Sequence, residues 1–145
     1  MSLILAKTIC CQDEHLEIQL FQHWFHGIQE IRIIQNDAVL SIDGYLFYAE
    51  FTIVMARSKI NEMKKMDKSR TCLFYEDEGS VVDIELRKNE NGYSLVDLLE
   101  KTEIFIHDID NLDIMFKKVL EYLNCERLQA RKTKIDDDDD YADDA

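Results

Sequence analysis

The segment KTEIFIHDIDNLDIMFKKVLEYL, residues 101–123, predicts a short strand that leads directly into an amphipathic helix. Ile104 and Ile106 follow the two-residue period of a half-buried strand. Asp110 stands where a helix N-cap is expected, and Asp113 follows in the first turn, where acidic side chains suit the helix dipole. The helix then carries one apolar stripe, with residues three and four apart: Leu112, Met115, Phe116, Val119, Leu120 and Leu123.

Most of the chain before this segment shows the patterns of β-strands. The Asp43-Gly44 pair favours a tight hairpin turn, so we expect strands on both sides of it. Residues 93–100 fit either a strand or one helical turn with a capping box, and their position between a turn and the next strand favours the strand. The predicted strands are 16 to about 24, 28–35, 38–42, 45–53, 72–77, 80–88, 93–100 and a short one around Ile104.

A second, shorter helix is predicted over residues 54–66. Ile60, Met63 and Met66 are three residues apart there, with lysine and arginine between them. Together these elements predict an α+β fold in one domain, residues 1–125: a twisted antiparallel sheet of about six to eight strands, with helices 54–66 and 111–123 packed on it. Residues 126–145 carry a basic patch and then an acidic run, and we expect a disordered tail there.

The chain is acidic, with a formal net charge of −13. Seven acids lie after Ile135, while residues 1–135 carry 17 basic and 23 acidic residues, a net charge of −6. Recognition of phosphate groups requires clustered positive charge, so this balance argues against direct binding of nucleic acid or of an anionic membrane. The natural complement is a basic protein partner, attracted at long range.

The cysteines and the N-terminal segment favour a cytoplasmic protein. Four cysteines, two of them adjacent at Cys10 and Cys11, make a poor disulfide framework for a chain of 145 residues. The N-terminal MSLILAKTICC lacks the basic lead and the hydrophobic core of a secretory signal. No run of residues approaches the length of a membrane span. We therefore expect a soluble protein with reduced thiols.

Two histidine constellations were considered as chemical sites. His23 and His26 are three apart and could share a metal on a helix, but no acidic or cysteine ligand lies at a matching spacing. His107 followed by Asp108 and Asp110 resembles a general base with an orienting carboxylate. An aromatic loop on the core explains the first pair and a helix N-terminus explains the second, so no catalytic residue, metal or cofactor is predicted.

Two acidic clusters are the candidate partner-binding residues. Five consecutive aspartates in the tail could grip a basic groove or imitate a phosphate backbone, although a solubilising tail is the ordinary explanation. An acidic turn in the body is compatible with cation binding or a partner contact, although a solvated turn is the default. The candidates are Glu76, Asp77 and Glu78 in the turn, and Asp136, Asp137, Asp138, Asp139 and Asp140 in the tail.

Residues 42–123 resemble the small WapI-like bacterial immunity proteins. The segments that carry the resemblance are GYLFYAEFTIVMARSKINEMKKM, an aromatic strand leading into a helix, LFYEDEGSVVDIELRKNENGY, two strands about an acidic turn, and EIFIHDIDNLDIMFKKVLEYL, a strand and a closing helix. The short linker at 67–70 and the poly-aspartate tail depart from the family pattern. The resemblance implies an α+β inhibitor without enzymatic activity, and it transfers no binding residues.

The leading functional hypothesis is a non-enzymatic, cytoplasmic immunity protein that neutralises a basic toxin or nuclease by occluding its active site. An acidic inhibitor gains association rate from electrostatic steering and affinity from a few buried aromatic contacts. The alternatives are a DNA mimic that inhibits a DNA-binding defence enzyme, and a secretion or assembly chaperone for a basic protein. An enzyme is a further, minor alternative.

Overall fold

The computed structural model describes residues 3–23, 27–43, 49–75 and 83–142. Eight strands and two α-helices lie in these ranges, with a short 3-10 turn at Gln12–Glu14 between the first two strands. The strands are β1 (Ile4–Cys11), β2 (Leu16–His23), β3 (Gly27–Gln35), β4 (Ala38–Asp43), β5 (Arg70–Tyr75), β6 (Asp83–Asn89), β7 (Gly92–Asp97) and β8 (Thr102–Ile106). The helices are α1 (Ala49–Met66) and α2 (Ile109–Ala142). The predicted α+β class is confirmed.

The strands form two antiparallel sheets of four, whereas the sequence predicted one sheet. The orders are β1-β2-β3-β4 and β5-β6-β7-β8, so each strand pairs only with its neighbours along the chain. The two sheets meet where β4 lies beside β8. At this junction the backbone N–H of Phe105 in β8 donates to Oε1 of Gln35 at 2.9 Å, and the Phe105 carbonyl accepts from Nε2 of Gln35 at 2.6 Å. A side-chain amide therefore occupies backbone groups that a seventh ladder, joining the two sheets, would need.

Four strands followed by a helix occur twice in the described chain, and each helix packs against both sheets. α1 contacts β5 of the second sheet and, less extensively, β3 of the first. α2 contacts β1 of the first sheet, and its Phe116 ring meets Phe74 of β5 in the second. The helices also contact each other. Arg57 pairs with Asp113 at 3.0 Å and Lys64 pairs with Asp110, in opposite order along the two helices. These contacts join the two sheets through the helices.

A single hydrophobic core lies between the sheets and the helices. Strands contribute alternate residues, such as Ile84 and Leu86 of β6, and α2 contributes its predicted stripe. Leu112, Met115, Phe116 and Val119 of that stripe are buried, and Leu120 and Leu123 are partly buried against the core. The ring of Phe116 meets that of Phe74 edge to face, with centroids 6.0 Å apart. The predicted packing of the closing helix is confirmed.

The predicted strand over residues 45–53 is wrong over its described part. Residues 44–48 lie outside the described ranges, and α1 already begins at Ala49. Ala49, Ile53, Ala56, Ile60 and Met63 form its buried face, with the spacing of an α-helix. Ala49 and Ile53 are four residues apart, which also fits a period of two, so the alternation alone could not separate the two structures.

β1 is a strand that the sequence analysis did not predict.

The structure also fixes the ends of two predicted elements, β7 and α2. Residues 93–97 form β7, as favoured, and the Asx turn of Asp97 follows it, with Oδ1 accepting from the backbone N–H of Leu99 and Glu100. Asp108, and not Asp110, caps α2, because its carboxylate accepts from the backbone N–H of Asp110 at 3.0 Å. Asp110 lies in the first turn and pairs with Lys64.

The backbone of α2 continues through Ala142, where the sequence predicted a disordered tail from residue 126. Residues 126–134 consist mostly of good helix formers, and helix propagation adds a backbone hydrogen bond for each residue that is ordered. The aspartates that follow are negatively charged, which is unfavourable at the C-terminal end of a helix. The last turn carries no basic residue.

We expect truncation after Ile135 to leave the thermal midpoint of unfolding unchanged within experimental error. The removed residues carry seven acids and no apolar periodicity, so we expect them to contribute charge and not hydrophobic burial. Circular dichroism melting of the full and truncated chains, measured at the same ionic strength, tests this. A fall of several degrees would show that the end of α2 packs on the fold.

Candidate partner-binding surfaces

The structure leaves the predicted acidic sites untested. Glu76, Asp77 and Glu78 lie outside the described residues, as does His26 of the histidine pair. Asp136, Asp137, Asp138, Asp139 and Asp140 fall in the last part of α2. The candidate surfaces therefore lie elsewhere on the described chain.

His107, Asp108 and Asp110 lie at the start of α2. A buried carboxylate from another part of the chain accepts hydrogen bonds from the backbone there. Glu14, only 4% exposed, sits in the turn between β1 and β2. Its Oε1 accepts from the backbone N–H of His107 at 2.7 Å, and its Oε2 accepts from the backbone N–H of Asp108 at 2.8 Å and from Nδ2 of Asn111 at 2.7 Å. The backbone carbonyl of Glu14 also accepts from Nε2 of Gln35 at 2.9 Å. One glutamate thus joins the first sheet to the β8–α2 junction.

These contacts set the ionisation of Glu14. Burial by itself raises the pKa of the carboxyl, but the hydrogen bonds from Asn111, Asp108 and His107 outweigh it and hold the pKa below the ordinary 4.5. A carboxylate at a helix N-terminus also meets the positive end of the helix dipole. The carboxylates of Asp108 and Asp110 cap α2 and pair with Lys64, respectively. In the described structure each of these acids therefore supports the fold.

The described cysteine thiols are free, and two of them are poorly suited to act as nucleophiles. Burial, with a hydrogen bond to Asp83, raises the pKa of the Cys72 thiol to about 11. Burial, together with the charge of Glu17, also raises the pKa of Cys10. Since the thiolate is the reactive form, these shifts reduce reactivity at neutral pH. Among the described residues, no group of three or more His, Cys, Asp or Glu is arranged to hold a metal ion.

Several large apolar side chains are exposed, and two groups of them lie close together in the sequence. Single exposed apolar residues elsewhere are Val39, Met66, Leu98, Leu99, Phe105 and Ile114. Phe51, which is 66% exposed, shares the outer side of α1 with Val54 and Met55. Ile4 and Leu5, 54% and 48% exposed, lie at the start of β1. Large aromatic and aliphatic side chains of this kind supply most of the affinity in protein–protein interfaces. Both places are therefore candidates for contact with a partner.

A groove of about 510 Å³ follows β1 on its outer edge. Residues 7–10 of β1 form one wall, and Lys118, Glu121, Tyr122 and Cys125 of α2 form the other. The ammonium of Lys7 lies 5.9 Å from the centroid of the Tyr122 ring, in cation–π contact. A second depression, of about 640 Å³, lies at the end of β1 near Cys11, His15 and Asn36. Sequence reasoning missed both, although the apolar run at residues 3–6 was a signal for an extra strand.

Comparison of the chain with protein-family models, with curated proteins and with solved structures finds no match to any of them. The described part of the chain contains no helix with the length and apolar character needed to cross a membrane.

Proposed function

We propose that this protein is a non-enzymatic immunity protein that acts in the cytoplasm and neutralises a basic toxin by occluding the toxin's active site. The observation that carries the proposal is the net charge of −13, which stays negative when the acidic end of the chain is set aside. Such a charge attracts a basic protein over about a Debye length and raises the association rate. The resemblance of residues 42–123 to WapI-like immunity proteins points to the same class.

The arrangement of the described surface supports binding. The ionisable groups with shifted pKa values are engaged in contacts within the fold, such as Asp67 with Lys88 at 2.7 Å and Glu14 with the start of α2. The apolar side chains of Phe51, Ile4 and Leu5 are exposed to solvent. An inhibitor needs this combination, because charge guides the encounter and buried apolar contacts then hold the complex.

We expect the variant Glu76→Lys/Asp77→Lys/Glu78→Lys to associate more slowly with the toxin and to show a weaker dependence of the association rate on salt. Carboxylates in this turn would pair with the lysines and arginines that otherwise hold the toxin's substrate phosphates. Stability should be nearly unchanged. The partner is captured from cells of the source organism, identified, and tested by binding kinetics at two salt concentrations.

A matched control separates a local contact from the overall charge. Glu90, Glu100 and Glu103 are exposed acids at the second sheet, and reversing all three changes the net charge equally. If both triple variants slow association equally, residues 76–78 are not a specific contact. The electrostatic proposal would be contradicted if the captured partner is acidic. It would also be contradicted if the association rate does not change with salt concentration. Competition by duplex DNA that depends on Asp136–Asp140 would favour the DNA-mimic alternative.

A further inference from the structure

The outer edge of β1 presents backbone groups that no described strand uses. β1 is the end strand of its sheet and pairs only with β2. In an antiparallel ladder, alternate residues direct their N–H and C=O groups away from the partner strand. Proteins commonly protect such edges with proline, charge or bulges. β1 has eight residues, with one charged side chain, Lys7, and a bulge between Leu5 and Lys7.

The half of β1 beyond this bulge is regular and faces the groove. Residues 7–11 keep an uninterrupted register with residues 16–20 of β2. The groove of about 510 Å³ runs beside residues 7–10, with α2 as its far wall. An added strand lies about 4.8 Å from its neighbour, and its side chains alternate between the two faces. Every second side chain of such a strand would therefore face the α2 wall near Tyr122.

The backbone groups of this edge and the net charge of the chain together indicate which kind of molecule would bind there. A row of unpaired N–H and C=O groups is satisfied in full by another extended polypeptide. A second copy of this chain would carry the same net charge of −13, so two copies would repel each other overall, although the groove itself is lined by Lys7, Lys118 and Glu121. A basic protein is attracted by the same charge. The exposed Ile4 and Leu5 extend the contact surface beyond the groove.

We propose that the edge of β1 and the groove beside α2 are the docking site for an extended segment of a basic protein partner, which adds a fifth strand to the first sheet. The inference rests on the proposed function for the identity of the partner. Backbone hydrogen bonds to β1 supply affinity, and the α2 wall at Lys118, Tyr122 and Cys125 selects the inward-facing side chains.

The first experiment asks whether the edge accepts a strand, and it needs no partner. Residues 1–3 are replaced by an eight-residue strand of alternating apolar and polar residues, joined to Ile4 by an Asn-Gly hairpin turn. The matched control carries a Gly/Ser extension of equal length, which has little tendency to form a strand. We expect amides of the strand extension to exchange with solvent at least about tenfold more slowly than those of the control. Equal exchange rates in the two extensions would overturn the proposal, because the edge would then be closed to a strand.

The second experiment measures the affinity of the captured basic partner for the wild type and for both extended proteins. The strand extension should weaken binding by at least about tenfold, whereas the Gly/Ser extension should leave it within about twofold of wild type. Binding of the strand-extended protein with wild-type affinity would overturn the proposal. Sedimentation that shows a wild-type dimer, abolished by the strand extension, would assign the edge to a second copy instead.

The two proposals fail in different ways. If no basic protein is captured, the proposed function fails, and amide exchange still decides whether the edge of β1 accepts an extended segment. If a basic protein binds with salt-dependent kinetics and its affinity is unchanged by the strand extension, the proposed function stands and the proposed docking site is wrong. In that case the exposed side of α1 at Phe51, Val54 and Met55 is the next surface to substitute.

Discussion

Replacement of Glu14 by alanine should lower the free energy of unfolding by about 3–5 kcal/mol. The carboxylate is buried and accepts three hydrogen bonds, two from backbone N–H groups at the start of α2 and one from Asn111. Without it these part-buried donors lose their acceptor, and a donor left fully buried without one costs about 1–3 kcal/mol. Chemical denaturation at neutral pH measures the loss.

Glu14→Gln is the matched control, because it keeps the shape of the side chain and removes the charge. The amide still offers one acceptor, but its NH₂ faces a donor, so we expect a loss of stability smaller than that of the alanine variant. Asp13, the exposed neighbour in the same turn, provides a surface control, and Asp13→Ala should leave stability nearly unchanged. A Glu14→Ala protein as stable as the wild type would show that the junction is held by other contacts.

The lowered pKa of Glu14 also predicts how stability varies with pH. Its hydrogen bonds lower the pKa below the ordinary 4.5, so the folded state holds the ionised form more strongly than the unfolded chain does. The stabilisation is fully present above the unfolded pKa and is lost as pH falls through the folded pKa. We expect the difference in unfolding free energy between the wild type and Glu14→Gln to shrink between pH 6 and pH 3. A difference that stays constant with pH would contradict the assignment.

Replacement of Phe116 by aspartate should unfold the protein or leave it aggregated. Phe116 is fully buried on the stripe of α2 and packs edge to face on Phe74. Loss of a buried aromatic ring alone costs about 3–5 kcal/mol, and burial of an unpaired carboxylate adds several more. That total is comparable to the whole stability of a domain, about 5–15 kcal/mol. Circular dichroism and gel filtration of the purified variant test this expectation.

Ile114 offers the matched control, because it lies two residues away on the same helix and is 49% exposed. Ile114→Asp should fold with a native circular dichroism spectrum, since its carboxylate stays in water. Phe116→Leu should fold with a moderate loss of stability from the missing ring contact with Phe74. A soluble, native-like Phe116→Asp protein would mean that the stripe of α2 is exposed, and the stripe itself would then be the first candidate for the partner-binding face.

Sequence patterns predicted those elements whose two sides differ in polarity. The period of two in β6 places Ile84 and Leu86 in the core, and the stripe of α2 from Leu112 to Val119 is buried as expected. The predicted strands 28–35 and 38–42 leave Asn36 and Asp37 to form the turn between them, and Asn36 has a positive φ of 54° there. The candidate site could not be predicted in the same way, because no sequence motif marks the edge strand of a sheet, and the acidic residues 76–78 lie outside the described ranges.

The errors occurred where local patterns allow two structures. Ala49 and Ile53 fit a strand as well as a helix, and only the continuation to Ala56 and Ile60 separates them. Asp110 is as good a cap by residue type as Asp108, and the position at which β8 ends decides between them. In both cases the residue types at the boundary are compatible with either assignment, and the extent of the neighbouring element decides between them.

The sequence by itself determined the α+β class, most strands, the buried face of α2 and the acidic charge, because each follows from neighbouring residues and their period. Tertiary structure alone decided the division into two sheets and the packing of each helix against strands of both sheets. It also decided the role of Glu14, whose partners lie 93–97 residues away in the chain. Such contacts depend on how elements meet in space, and the periodicity of a single element carries no information about its partner. The position of β1 at the edge of its sheet has the same origin, since it depends on which of the described strands pair with it.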